Sequence, residues 1–96
     1  MTEREKQIIN ALVILLDSNV GYEIGFFRGM LSTYQLEDGR FVVNRKDYIP
    51  NQGDKYLYEE IFDSSLEAAE FFEKKRREHE LGFDFERELN QRENEH

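Results

Sequence analysis

The chain contains no cysteine. Disulfides, thiolate-bound zinc, iron–sulfur clusters and thiol catalysis are therefore excluded, and the absence suits a reducing cytoplasm, the expected compartment. Histidine is scarce as well. His79 lies between Glu78 and Glu80, His96 is terminal, and neither has a second histidine at ligand spacing. No metal and no cofactor are expected. Basic residues are few: 13 Lys and Arg stand against 21 Asp and Glu, a net charge of −8. Gripping phosphate requires Lys and Arg to displace counterions, so direct binding to nucleic acid or to an anionic membrane is not expected.

Long apolar runs are missing too. The richest stretch, Ile8 to Leu16, is interrupted by Asn10 and falls well short of the ~20 residues that cross a bilayer. The charges of Glu3, Arg4, Glu5 and Lys6 before it cancel, and Asp17-Ser18-Asn19 after it offers no small-residue cleavage pattern. A buried helix is expected here, not a signal peptide. Catalytic motifs are also lacking. Gly21, Gly25 and Gly29 recur every four residues without the Gly-Lys-Ser/Thr ending of a phosphate loop, so close packing against the first helix is expected of them. The serines lack a nucleophile elbow. Glu59 and Glu60 are adjacent, so on a strand they point to opposite faces. A non-enzymatic protein is expected, with a small enzyme as a remote alternative.

What the chain has is aromatic residues and acid. Eight Phe and five Tyr are enough to build a core, each burying roughly 150–250 Å². Thr2 and Glu5 have capping-box spacing, and apolar residues follow in two stripes: Ile8, Leu12, Leu15 and Leu16, then Ile9, Val13 and Val20. The first helix is expected from Glu3 to Asn19, stopped by Gly21. Tyr22 to Leu36 reads as one long strand, bent near Gly25 to Gly29. Asp38-Gly39 suggests a two-residue type I′ turn that would pair Glu37 with Arg40, Leu36 with Phe41 and Tyr34 with Val43. Asn44 to Lys55 reads as a loop, and Tyr56 to Phe62 as a third strand. Ser64 and Glu67 repeat the capping spacing, opening a second helix from Ser65 to Glu80. Within it Glu70 and Lys74, and Glu73 and Arg77, are spaced for i,i+4 pairs. Phe83, Phe85 and Leu89 suggest a short C-terminal helix.

The expected fold is α+β in the order α-β-β-β-α. A three-stranded antiparallel sheet carries two helices on one face, followed by a short helix or tail. Residues 1–89 form one domain and 90–96 a frayed polar tail. The order resembles that of the double-stranded-RNA-binding domain. That family grips phosphate with a basic cluster at the start of its last helix. The corresponding turn here carries Asp63, Glu67, Glu70 and Glu73, so the likeness is confined to element order.

The acid is unevenly spread. From Glu59 to His96 there are 13 acidic and six basic residues, whereas Met1 to Tyr58 is nearly balanced at eight and seven. Such a field attracts a basic protein surface, for example that of a nuclease or nucleic-acid-binding protein. The expected role is stoichiometric binding by an acidic inhibitor, an immunity-type protein or a phage accessory protein. Its contacts would be Glu67, Glu70 and Glu73 on the second helix and Asp84, Glu86 and Glu88 in the tail. Tyr48, Tyr56 and Tyr58 flank the central loop as a candidate aromatic face, of which Tyr48 and Tyr56 would add exposed rings to the contact. The alternative is a homodimer sealed through Ile9, Val13 and Val20 of the first helix.

Overall fold

The computed structural model describes residues 2–26 and 29–78. Over these the chain runs α1 (Glu3–Asp17), β1 (Tyr22–Phe26), β2 (Gly29–Gln35), β3 (Phe41–Ile49), β4 (Gly53–Phe62) and α2 (Ser65–Glu78). The strands form one antiparallel meander in the order β1-β2-β3-β4. The class is α+β, but the sheet has four strands instead of three. The expected third helix and tail, with the end of the second helix, lie outside the described residues.

The extra strand comes from the stretch read as one strand. A straight strand of fifteen residues would extend roughly 50 Å, well beyond the usual 3–10 residues. Instead the chain reverses between Phe26 and Gly29, which face each other across the new hairpin. The expected bend is thus a complete turn. The likeness in element order to the RNA-binding domain ends with it.

α1 begins as its sequence suggests. The Thr2 hydroxyl oxygen accepts from the Glu5 backbone N–H at 3.1 Å. Ile9, Leu12 and Leu16, at helical spacing, are its buried residues. The helix stops at Asp17, earlier than expected, and Gly21 is not its cap. Asn19 takes a left-handed φ of 59°. The Val20 N–H then reaches the Leu15 carbonyl and the Asn19 N–H reaches that of Leu16, the two bonds of a Schellman motif. Gly21 has another task. A Cβ there would sit 3.2 Å from the Tyr34 Cβ and 3.3 Å from the Thr33 carbonyl oxygen. It therefore permits a close approach to β2, not to α1, while Gly25 faces open space.

The Asp38-Gly39 hairpin forms one residue out of the expected register. Gln35 pairs with Phe41, Tyr34 with Val42 and Thr33 with Val43. The loop has three residues, Glu37 to Gly39, closed by Leu36 N–H to the Arg40 carbonyl at 2.7 Å. Only Gly39 has positive φ, at 90°. This is the turn-plus-bulge alternative that Asp-Gly serves equally well. The expected Glu37–Arg40 pairing is replaced by Arg40 Nε to Asp38 at 2.8 Å.

The stretch read as a loop is mostly strand. β3 continues to Ile49 and β4 starts at Gly53, joined by a tight turn in which Gln52 N–H donates to the Ile49 carbonyl. Pro50 precedes Asn51 at φ 69°, the arrangement of a type II turn.

One side of the sheet holds the core. Leu31, Phe41 and Val43 meet Ile9, Leu12 and Leu16 of α1 and Ala68, Ala69 and Phe72 of α2. Both helices cover this one face, as expected. Each fully buried large side chain contributes about 1.5–3 kcal/mol. Phe72 is wholly buried, with Tyr22 edge-on at 5.8 Å. Of the expected dimer seam, Ile9 is spent in this core and Val13 packs against it, whereas Val20 is exposed. Among the described residues no helix is long and apolar enough to cross a membrane.

Candidate binding surfaces

α2 opens with the Ser64 hydroxyl oxygen accepting from the Glu67 N–H at 3.1 Å. Its spacing then divides its charges. Glu67, Glu70 and Lys74 lie three and four residues apart on an exposed stripe, while Glu73 turns inward. Glu73 is 2% exposed and Arg76 beside it 6%. One Glu73 oxygen accepts from Arg76 Nη2 at 2.7 Å and from Arg77 Nε at 2.8 Å. The other accepts from Arg76 Nε at 2.8 Å. Arg77 reaches on to Glu5 of α1 at 3.8 Å, linking the helices. Glu73 is therefore not part of an outward acidic face. Its negative charge is consumed inside the fold by two guanidinium groups.

Glu67 and Glu70 do face outward, and among the described residues neither has an ion-pair partner. The expected Glu70–Lys74 pair is not formed; that of Glu73 with Arg77 is. Beside them runs an open groove of about 710 Å³ between α1, α2 and the end of β4. Ile9, Phe62 and Phe71 supply its apolar lining. Glu5, Glu67, Glu70 and Glu78 stand around it with Lys74 and Arg77, while Glu73 in its wall is already neutralised.

Among the described residues, no helix lies on the opposite face of the sheet. Side chains alternate along a strand, so the residues between the core positions point there. Tyr34, Val42 and Ile61 form one row across β2, β3 and β4, with Ser32, Asn44 and Glu59 beside it. Val42 and Asn44 are buried in the middle of this row pair. Asn44 donates from its side-chain nitrogen to the Tyr34 hydroxyl at 3.3 Å.

A bulge sets the rest. Arg45 pairs with Tyr58 and Lys46 with Tyr56, so Leu57 is an extra residue in β4. It sends Tyr58 to the helix side, edge-on to Phe71 at 6.2 Å, and Tyr56 to the open side. Without it the two tyrosines would share a face. Tyr58 meets the opposite of activation: burial raises its pKa above the ordinary 10.0, so the phenol stays neutral. Among the described residues no group of three His, Cys, Asp or Glu could hold a metal ion.

The expected contact residues thus separate. Tyr48 and Tyr56 lie on the open sheet face, each more than half exposed. Glu67 and Glu70 lie across the sheet on α2. Asp84, Glu86 and Glu88 lie outside the described residues. Sequence reasoning missed Tyr34, Ile61 and Glu59, because Tyr34 joins this face through a register that Asp-Gly leaves open, and Ile61 and Glu59 through a β3–β4 pairing that runs into the stretch read as a loop. The chain matches no protein-family model, no curated protein and no solved structure.

Proposed function

We propose that this is a cytoplasmic, non-catalytic protein that binds another protein stoichiometrically and occludes a basic surface on it, as an inhibitor does. The supporting observation is the α2 groove. Glu67 and Glu70, without an ion-pair partner among the described residues, stand at the rim of a channel lined by Ile9, Phe62 and Phe71. A carboxylate rim speeds the encounter with a cationic partner, and the apolar lining then holds it. A basic amphipathic helix has the matching chemistry: apolar side chains for the lining and Lys or Arg for the rim.

The test uses a synthetic leucine–lysine amphipathic helical peptide as probe, with kinetics followed by interferometry at rising salt. The on-rate should fall as salt rises. Glu67→Gln with Glu70→Gln should slow association several-fold and leave thermal unfolding nearly unchanged. Absence of binding, or an on-rate indifferent to the double substitution, would refute this reading.

A further inference from the structure

We propose that the open face of the sheet is a second docking surface, independent of the groove, and that it takes an extended, arginine-bearing segment of a protein partner. The face is built for contact. Tyr34, Ile61, Tyr48 and Tyr56 are 39–55% exposed on it. Beneath them Val42 and Asn44 are closed off from solvent, and the Asn44–Tyr34 hydrogen bond restrains one ring. Rings already held in place lose little freedom on binding. Tyrosine suits such a site because its ring packs while its hydroxyl stays wet.

Charge selects the occupant. The face carries Glu23 and Glu59 across from Ser32 and Asn44, with Asp54 near its far end. Lys46, its cation among the described residues, is held by Asp54 at 3.5 Å. A second copy would bring the same carboxylates and set a net −8 against −8. Nucleic acid and anionic lipid are repelled in the same way. A cationic segment is attracted. Arginine fits better than lysine, since its planar guanidinium stacks on a tyrosine ring and also forks a carboxylate. An extended segment repeats its side chains every ~7 Å on one side, the same interval as the strands beneath.

The test uses the full chain and labelled peptides of about ten residues, a common strand length, in which threonine alternates with arginine, lysine or glutamate. Fluorescence anisotropy should show binding of the arginine peptide, weaker binding of the lysine peptide and none of the glutamate peptide. Tyr56→Ala and Glu59→Gln should each weaken the arginine peptide about five- to tenfold, in line with the loss of one stacked or forked contact. Glu67→Gln with Glu70→Gln should leave it unchanged. Equal affinity for arginine and lysine peptides would overturn the proposal. So would loss of binding in the α2 variant with the sheet variants unaffected. Binding of the leucine–lysine helix without binding of the arginine peptide would overturn the sheet surface alone. The reverse result would overturn the groove alone.

Discussion

Glu73 offers the sharpest test of how α2 is held. Its side chain is 2% exposed and that of Arg76 7%. Glu73→Gln keeps the shape but removes the negative charge and one acceptor oxygen. The Arg76 guanidinium then loses the buried carboxylate that receives both its Nε and its Nη2. Removing one member of a buried pair costs about 3–5 kcal/mol. Arg77 adds little to this, since it is 30% exposed on its side chain and keeps Glu5 nearby. A domain of this size loses roughly 4–8 °C of Tm per kcal/mol, so the fall should be on the order of 12–40 °C. Circular dichroism would follow the Tm fall on heating and the free-energy cost in urea. The companion substitution pair, Glu73→Leu with Arg76→Met, removes both charges and fills the space. It should recover most of the loss, because the desolvation penalty of the pair goes with it. A cost below about 1 kcal/mol for Glu73→Gln, or a pair no better than the single change, would refute the reasoning.

Two further perturbations probe the sheet. Thr33 is fully buried, and among the described residues its hydroxyl has no hydrogen-bond partner. Thr33→Val keeps the branched shape and removes that group, so chemical denaturation should show a gain of about 1 kcal/mol; a loss would mean that the hydroxyl is bonded after all. At the hairpin tip, the Arg40 backbone N–H and then its guanidinium hold the Asp38 carboxyl below its ordinary 3.8. A depressed folded pKa gives a contribution that is present above 3.8 and lost as pH falls through the lower folded value. Carbon-detected NMR titration of Asp38 should find its midpoint under 3.8, and a midpoint at or above it would show that the Arg40 contacts do not form in solution.

Local chemistry was legible where it was self-contained. Thr2 and Ser64 each satisfy a free N–H by their own side chains, so two helix starts could be read from spacing alone. The hairpin at Asp38-Gly39 was legible as a hairpin, but its register was not. Asp-Gly fits a two-residue loop and a three-residue loop alike. The choice is made by tertiary packing, which sets Phe41 and Val43 on the same side as Leu31, beneath α1 and α2. Strand ends were illegible for a related reason. From Arg45 to Lys55 the exposed or half-exposed side chains on both sides of the β3–β4 hairpin leave little apolar alternation to see. Pairing of backbone groups continues there without it.

The candidate contacts were misjudged in one instructive place. Net charge treats every carboxylate on α2 as equivalent, yet the helical period does not. Ala69, Phe72, Glu73 and Arg76 stand at i, i+3, i+4 and i+7, the spacing of a core-facing stripe. All four are buried. The interval that placed Ala69 and Phe72 in the core therefore placed Glu73 and Arg76 there as well, and a carboxylate taken inside requires a guanidinium beside it. Glu67 and Glu70 fall outside that stripe and keep their charge for the surface. Two outward carboxylates make a weaker field than three. Under the two proposed contacts, the exposed tyrosines on the far side of the sheet would therefore carry the larger share of selectivity, because a partner that reads only acidity would not distinguish this chain from other acidic ones.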